Sequence, residues 1–189
     1  MLYTKKGDNG TTKLFDCQEG QRVSKGALVF EALGTLDELN CSIGYAKTLA
    51  HTTEDVAYIG GAKISYPEIL EIFQQNLFSV QGELAGGEVR IAMKHVAFLE
   101  RVIDEIDTLL PPIRSFIIPG GGTCGAYLDV TRTIARRAER LIVMVRDRGE
   151  RAIQDESIQF LNRLSSALYA MARFANYQEG YSEQKPLYN

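Results

Sequence analysis

The segment near the N terminus combines residue types that suit an anionic ligand. It reads YTKKGDNGTTK from Tyr3 to Lys13. The spacing of Gly7 and Gly10 allows backbone N–H groups to point the same way and form an anion-binding nest. The lysines add positive charge, the threonines add hydroxyl groups, and Asp8 can hold a divalent cation through oxygen. The spacing is not that of a Walker A loop, and composition alone also fits a flexible, solubilising N terminus.

A second concentration of positive charge is the run RTIARRAER, which begins at Arg132. In an α-helix, Arg132, Arg136 and Arg140 lie on one ridge because residues four apart share a face. Neighbouring guanidinium groups repel one another unless an anion neutralises them, and their planar donors match phosphate oxygens. The alternative is a solvated helix face, or ion pairs to acidic residues such as Asp37 or Glu38 on another helix. The two interpretations are compatible, since one arginine can be paired while others bind phosphate.

Polar side chains also interrupt two otherwise apolar helical stretches. Asn162 lies in LNRLSS, and Asp37 and Asn40 lie in GTLDELN. Buried polar groups in proteins are almost always hydrogen-bonded. These side chains therefore either join helices or line a site, and for each one alone the joining role is the simpler interpretation.

Hydrophobic periodicity predicts the elements that position these residues. Apolar residues recur every three to four positions in five stretches, which is typical of amphipathic helices. The predicted helices span about Glu31–Ala50, Pro67–Leu84, Ala92–Leu110, Cys124–Arg148 and Asp155–Gln178. Gly86 and Gly87, Pro111 and Pro112, and Gly149 provide the stops of the second, third and fourth helices. Residues 51–66 show little order and are expected to form a surface loop or a short hairpin.

Short connections and the lack of alternating strands predict an all-α fold, a five-helix bundle. The length of 189 residues fits one domain over residues 1–189, with an N-terminal loop segment at 1–26 and the helical bundle at 27–180. From the residues alone, the short apolar run that contains Phe116 is expected to belong to the core.

Composition argues against several classes of protein. The formal charge is −3, whereas proteins that coat nucleic acid are usually strongly basic. The three cysteines form no CxxC pair, so reduced thiols are expected. No apolar stretch is long enough for a membrane span, and the polar start does not suit a signal peptide. We therefore expect a cytoplasmic protein that binds neither nucleic acid nor membrane, with His51 and His95 at its surface.

Taken in order along the chain, these stretches resemble the PduO-type corrinoid adenosyltransferases, also called ATP:cob(I)alamin adenosyltransferases. YTKKGDNGTT at residues 3–12 is similar to the family's Y-T-[KR]-x-G-D-x-G-x-T loop. RVSK at 22–25 and GTLDELN at 34–40 match R-V-x-K and G-T-x-D-E-L-N. FIIPGG at 116–121, RTIARRAER at 132–140 and LNRLS at 161–165 match F-I-x-P-G-G, R-x-x-x-R-R-A-E-R and L-N-R-L-S. The resemblance covers nearly the whole chain.

The resemblance implies a ferritin-like five-helix bundle that assembles as a homotrimer, with an active site at each subunit interface. It implies that Co(I) of cob(I)alamin attacks C5′ of ATP and expels triphosphate, with Mg²⁺ assisting, to give adenosylcobalamin. The nucleophile is then the cobalt of the substrate, so the protein need not supply a nucleophilic side chain. A cobalamin reductase or a cobalamin-dependent enzyme is the further partner that this chemistry implies.

The resemblance also implies roles for residues at the nucleotide. The N-terminal loop would fold over the phosphates and metal of ATP through Thr4, Lys5, Gly7, Asp8, Gly10, Thr11 and Thr12. Arg132, Arg136 and Asn162 would hold triphosphate and ribose. Lys25 would reach the nucleotide, and Glu139 would orient an arginine or contact the nucleoside. The resemblance does not specify which side chains ligate the metal.

Two further residues would complete the catalytic site. Asp37 resembles a carboxylate that pairs with Arg132 between subunits and so orders the site. Phe116 resembles an aromatic residue that faces the lower axial side of cobalt. Excluding a lower ligand there would make Co(II) easier to reduce, because a four-coordinate centre lacks the donor that favours the higher oxidation state.

Several positions depart from the usual family pattern, including Lys6, Asn9 and Lys13 in the N-terminal loop and two positions on the helices. Asp129 stands where the family commonly has histidine, and Ser166 stands where an aspartate often follows N-R-L-S. These changes leave open a function of a different class, a non-catalytic member that binds ATP or corrinoid as a carrier or sensor. A third alternative is a purely structural helical trimer that binds no nucleotide.

Overall fold

The computed structural model describes residues 3–50, 56–59 and 62–188. Two short strands, Thr11–Thr12 (β1) and Val23–Ser24 (β2), precede the first helix, Leu28–Leu49 (α1). A second strand pair, Val56–Ile59 (β3) and Ala62–Ser65 (β4), leads into the helix Tyr66–Leu84 (α2). The remaining helices are Met93–Leu109 (α3), Thr123–Asp147 (α4) and Asp155–Gln178 (α5).

The helices form a bundle that shares one apolar core. α4 packs against α5, α1 packs against both α4 and α2, and α3 packs against α5. Each helix contributes large buried side chains to this core, among them Leu36, Phe73, Leu99, Leu128 and Phe160. Burying one such side chain stabilises the fold by about 1.5–3 kcal/mol. The predicted all-α five-helix bundle is confirmed. Among the described residues, no helix is both long and apolar enough to cross a membrane.

The predicted helix boundaries agree with the structure to within three residues. The prediction for α5, Asp155–Gln178, coincides with the observed helix. The largest difference is at α1, which begins at Leu28 rather than at Glu31. The helix starts earlier because Val29 is already buried in the core.

The segment after α1 contains a short hairpin, which is one of the two alternatives that the sequence predicted; the other was a surface loop. β3 and β4 pair antiparallel, and β3 lies against α3. Ser65 then caps α2, since its hydroxyl accepts the Glu68 N–H at 3.4 Å and its own N–H donates to the Glu68 carboxylate at 2.7 Å. The Ser65 hydroxyl also donates to the Glu68 carboxylate at 2.6 Å, and this bond, followed by that from the Ser65 N–H, lowers the pKa of the Glu68 carboxyl.

The expectation that both histidines lie at the surface is only partly testable, because His51 falls outside the described residues. His95 is partly exposed at the start of α3, which agrees with that expectation. Its Nδ1 accepts the N–H of Ala92 at 3.0 Å and so caps the start of α3. Burial, with a smaller contribution from Lys94, lowers the pKa of the His95 imidazole and favours the neutral form that this cap requires.

The N-terminal segment is ordered because it is attached to the far end of α2. The N–H of Phe15 donates to the carbonyl of Ala85 at 2.8 Å. The Asp16 carboxylate accepts a hydrogen bond from Arg151, and this bond lowers the pKa of Asp16. Gly86 has φ +86 and lies so close to the Asp16 carboxylate that a Cβ there would be only 2.5 Å away. A glycine is therefore required at the point of attachment.

A buried carboxylate joins α2 to the start of α5. Glu83 is only 3% exposed. It accepts the N–H of Gln154 at 2.9 Å and the hydroxyl of Ser157, and the Arg90 guanidinium lies 3.7 Å away. The first N–H groups of a helix lack intrahelical partners and attract negative charge. Glu83 thus supplies the cap that α5 does not obtain from Gln154.

We expect Glu83→Ala to lower the free energy of unfolding by about 2–4 kcal/mol, because it leaves buried donors without their acceptor. Urea unfolding followed by circular dichroism measures this change. Glu71→Ala is the matched control on the same helix, since the Glu71 side chain is 60% exposed and pairs with Lys47 at the surface. The control should change the free energy by no more than about 0.5 kcal/mol. Equal shifts in both variants would contradict the capping role.

Candidate active site

The N-terminal loop is closed by β1 and β2, which pair antiparallel with Thr11 opposite Ser24. Arg22 reinforces this closure. Its Nε donates to Thr11 Oγ1 at 2.6 Å, and its Nη2 donates to the backbone oxygens of Thr11 at 2.7 Å and Lys6 at 2.5 Å. Hydrogen bonds from a charged donor are stronger than neutral ones, so Arg22 fixes the shape of the loop. Sequence reasoning assigned Arg22 no role, although the RVSK motif contains it.

Lys25, which directly follows β2 in the chain, contacts the same loop. Its Nζ donates to the carbonyl of Gly7 at 2.9 Å, and its backbone N–H donates to the carbonyl of Gly10 at 2.9 Å. Lys5 has φ +58, a backbone conformation that residues other than glycine rarely adopt. The structure therefore brings Lys5, Lys25 and the spaced glycines into one short, constrained loop.

The remaining predicted loop residues lie beside these groups. Thr11 donates its hydroxyl to Asn9 Oδ1 at 2.7 Å. The loop also carries Thr4, Asp8 and Thr12, of which Thr4 and Asp8 are exposed. Within the described residues, no three acidic, histidine or cysteine side chains converge on a metal site. Mg²⁺ usually keeps several waters and binds one or two carboxylates together with ligand phosphates, so a single exposed carboxylate in this loop fits that mode.

The predicted arginine ridge lies on α4, with Arg136 exposed and Arg132 half-buried. The ion-pair alternative is correct for Arg137, which lies beside the ridge and pairs with Glu38 of α1. Asp37, the neighbour of Glu38, is exposed and forms no ion pair with any residue that the structure describes. The face between α1 and α4 thus carries one satisfied pair and one unpaired carboxylate.

Glu139 and Asn162, predicted to share a site, meet between α4 and α5. Asn162 Nδ2 donates to Glu139 Oε1 at 2.9 Å. The Arg163 guanidinium donates to Asn162 Oδ1 at 2.8 Å and to Glu100 of α3 at 3.0 Å. The amide of Asn162 is therefore fixed at both ends, and the joining role holds for it in the isolated chain.

Phe116 lies in the segment between α3 and α4 and is 79% exposed. The expectation that it belongs to the core is wrong. Residues 111–119 form no helix, and none of them is fully buried, because the chain leaves the core after Leu110. Phe116 instead borders an open cavity of about 540 Å³, whose lining includes Ile113, Arg132 and Tyr169.

Arg132 lines this cavity and also a second one of about 370 Å³ between α4, α5 and the chain that follows α5. Its side chain is 24% exposed, and its Nε lies 3.4 Å from Asp129 Oδ1. Its guanidinium carbon lies 5.6 Å from the centre of the Tyr169 ring, in reach of a cation–π contact. Burial raises the pKa of the Tyr169 phenol, which keeps that ring neutral. The other oxygen of Asp129 accepts the N–H of Gly120 at 3.3 Å.

Asn176 of α5 clamps the glycine-rich end of the same segment. Its Oδ1 accepts the N–H of Gly122 at 2.9 Å, and its Nδ2 donates to the carbonyl of Gly120 at 2.7 Å. A Cβ on Gly125 of α4 would collide with the Asn176 amide. The clamp therefore depends on a glycine in the facing helix.

The chain after α5 folds back to form one wall of the smaller cavity. Arg173, only 6% exposed, donates to the Glu183 carboxylate at 2.5 Å and to the carbonyl of Pro111 at 2.8 Å. The N–H of Ile118 donates to the carbonyl of Gln184 at 2.8 Å. The segment that carries Phe116 is thus held from both sides.

Sequence reasoning missed Tyr169, Arg173 and Asn176, which follow Asn162 at intervals of seven, four and three residues. These intervals place all four side chains on one face of a helix. The signal was therefore present as a polar and aromatic stripe extending beyond the LNRLS motif.

Comparison with known proteins shows that the amino-acid sequence matches that of a known family. The family model described as cobalamin adenosyltransferase matches residues 2–175. The corrinoid adenosyltransferase of Bacillus subtilis (strain 168) is 37% identical over 183 residues, which cover 95% of this chain and 88% of that protein. Corrinoid adenosyltransferase MMAB of Mus musculus is 38% identical over 97% of this chain and 76% of its own length. The chain spans about half, 49%, of corrinoid adenosyltransferase PduO of Citrobacter freundii, to which it is 37% identical.

Solved structures agree with these relatives. A phenylalanine-to-histidine variant of the PduO-type ATP:corrinoid adenosyltransferase from Lactobacillus reuteri, complexed with cobalamin and ATP, is 32% identical and superposes with a TM-score of 0.83. That match covers 98% of this chain and 96% of the other. An arginine-to-lysine variant from the same organism, complexed with ATP, gives a TM-score of 0.82 at 32% identity, with coverage of 98% and 100%. The fold, the ordered motifs and these comparisons together place the chain in the cobalamin adenosyltransferase family.

Proposed function

We propose that this protein transfers the 5′-deoxyadenosyl group of ATP to Co(I) of a corrinoid such as cobalamin. The observation that carries the proposal is the juxtaposition of Phe116 and Arg132. An exposed aromatic ring and a half-buried guanidinium line one open cavity. Such a cavity offers an apolar surface to a large planar ligand and a cation to an anionic one.

The reaction requires positive charge more than it requires a protein nucleophile. The lone pair of Co(I) forms the Co–C5′ bond while the C5′–O bond of ATP breaks, and its electron pair leaves with triphosphate. Negative charge therefore develops on the leaving group, and preorganised cations and N–H donors stabilise it in the transition state. The cobalt is the nucleophile, so the work of the protein is to bind, orient and neutralise.

The N-terminal loop is proposed to hold the phosphates of ATP. Arg22 and Lys25 support this role, because their hydrogen bonds give the loop its shape before any ligand is present. Lys5 would add charge, and backbone N–H groups near Gly7 and Gly10 would contact phosphate oxygens. The threonines at 4, 11 and 12 would add hydroxyl donors.

Mg²⁺ is proposed to enter with the nucleotide, with Asp8 as the residue that would hold it together with phosphate oxygens. The exposed position of Asp8 in the loop supports this assignment. When bound, the ion supplies positive charge against the leaving triphosphate.

The helical half of the site is proposed to hold the rest of the nucleotide. Arg136 is exposed one turn along α4 from Arg132, so both guanidinium groups can reach triphosphate. The Asn162–Glu139 hydrogen bond supports a fixed surface for ribose or the nucleoside. In this view Glu139 orients Asn162 rather than an arginine.

We further propose a homotrimer in which Asp37 of one subunit pairs with Arg132 of its neighbour. The exposed, unpaired state of Asp37 within the described chain supports this arrangement. Large apolar side chains on α1 and α4, Tyr45 and Val130, are about half exposed at 53% and 51%. A subunit interface over these helices would bury them and bring the carboxylate to the site.

The proposal is tested by mixing the protein anaerobically with chemically reduced cob(I)alamin, ATP and Mg²⁺ and following the absorbance spectrum. We expect conversion to adenosylcobalamin with release of triphosphate. If ATP stabilises the protein in a thermal-shift assay but no conversion occurs, the carrier or sensor alternative replaces the enzyme. If ATP causes no shift, the structural trimer replaces both.

We expect Arg132→Ala to lower kcat/KM for transfer by about 100-fold or more, because it removes a preorganised cation and leaves Asp129 without its partner. The same assay measures this loss. Arg146→Ala is the matched control on α4. Among the described residues, Arg146 forms an ion pair only with Asp155, and it does not line either cavity. Near-normal turnover in Arg132→Ala would exclude the assigned site.

We expect Phe116→Ala to leave ATP affinity unchanged and to slow transfer that starts from Co(II) by about tenfold or more, equivalent to at least about 1.4 kcal/mol in the barrier. The reason is that a water or base could then reach the lower face of cobalt. Calorimetry with Mg-ATP and a reductant-coupled transfer assay separate the two effects. Phe78→Ala, which removes a 61% exposed ring from α2, is the control. An unaltered Co(II) rate would reject the role of Phe116.

A further inference from the structure

Asp129 occupies an unusual position between two parts of the site. It is only 8% exposed, and its two oxygens point to different elements. Oδ1 lies 3.4 Å from Nε of Arg132 on the same helix, and Oδ2 lies 3.3 Å from the N–H of Gly120. Gly120 is four residues from Phe116 in the segment between α3 and α4.

We propose that Asp129 is a positioning residue that sets Arg132 and the Phe116 segment relative to each other. This inference rests on the proposed function, since Arg132 serves the nucleotide and Phe116 serves the corrinoid in that reaction. One carboxylate in contact with both couples the two halves of the site within a single subunit.

The contact with Nε determines how Arg132 can be used. A guanidinium presents five N–H donors in a fixed plane. Asp129 accepts from Nε, and the guanidinium carbon lies over the Tyr169 ring at 5.6 Å from its centre, so these two contacts orient the guanidinium. The terminal Nη donors are left for a phosphate or for a carboxylate from a neighbouring subunit.

The contact with Gly120 determines the position of Phe116. The segment at 111–119 has no helical hydrogen bonds of its own, so its path depends on contacts from outside. Asn176 holds the carbonyl of Gly120, while Asp129 holds its N–H. Both polar groups of this one peptide residue are therefore used, and each is held by a different helix.

A double-mutant cycle tests the coupling. We expect Asp129→Ala to slow transfer about 10-fold to 100-fold, as small misplacements of catalytic groups do. It should also lower the fraction of ATP-bound Co(II) corrinoid whose absorbance and electron paramagnetic resonance spectra report a four-coordinate centre. In the Phe116→Ala background, the spectral effect of Asp129→Ala should vanish, because the ring through which it acts is gone. Asp147→Ala, an exposed aspartate on α4, is the control.

Amide hydrogen exchange in the protein without ligands supplies an independent readout. Asp129→Ala should accelerate exchange of the Gly120 amide, whereas the Gly122 amide, held by Asn176, should keep its rate. Asn176→Ala should accelerate the Gly122 amide. A general loosening of the loop would accelerate both amides in Asp129→Ala and would overturn the positioning role.

The outcomes separate this inference from the proposed function. If wild-type protein performs transfer but Asp129→Ala is equally active and spectrally unchanged, the coupling role of Asp129 is wrong and the enzyme assignment stands. If the spectral effects of Asp129→Ala and Phe116→Ala add independently, Asp129 does not act through Phe116 and the inference fails. If wild-type protein neither transfers nor alters the corrinoid spectrum, the proposed function itself fails.

Discussion

A guanidinium that is largely removed from solvent must be neutralised and oriented by its surroundings, and this constraint on Arg132 organises much of the molecule. Its helix provides Asp129 one turn earlier, and the neighbouring helix provides the face of Tyr169. The segment between α3 and α4 then borders the same charge on the solvent side. A bundle built only for stability would place an apolar residue at this position, since replacing buried ion pairs by apolar groups is often neutral or stabilising.

The N-terminal loop solves a different problem, because it must hold a defined shape with very little regular structure. Its strand pair contains two residues on each side. The shape comes instead from Arg22 and Lys25, which donate to backbone oxygens and to a threonine hydroxyl. Although the net charge of the chain is −3, the positive charges of Arg22 and Lys25 lie together where the two ends of the loop meet. Such preorganisation lowers the entropy that ligand binding would otherwise cost.

Local sequence predicted the helices well because their apolar spacing is regular over several turns. The bounds of α5 follow from periodicity, whereas the segment before α2 left a hairpin and a surface loop as alternatives because its apolar residues show no regular spacing. The exposure of Phe116 could not be predicted in this way, because an apolar run bounded by prolines and glycines gives no sign of which face meets solvent. The clamp by Asn176 depends on Gly125 in a different helix, so neither residue reveals it alone. The family resemblance supplied the candidate site residues on α4 and α5, whereas the contacts of Arg22 and Asp129 became visible only in the three-dimensional structure.

The return of the chain after α5 has a consequence for how far the protein tolerates shortening. Glu183 and Gln184 form part of the cavity wall, and Glu183 is the carboxylate partner of the buried Arg173. A chain cut before Glu183 would leave this guanidinium buried, with the carbonyl of Pro111 as its remaining partner among the described residues. Because an uncompensated buried charge is strongly destabilising, the same tail that shapes the cavity also contributes to the stability of the bundle.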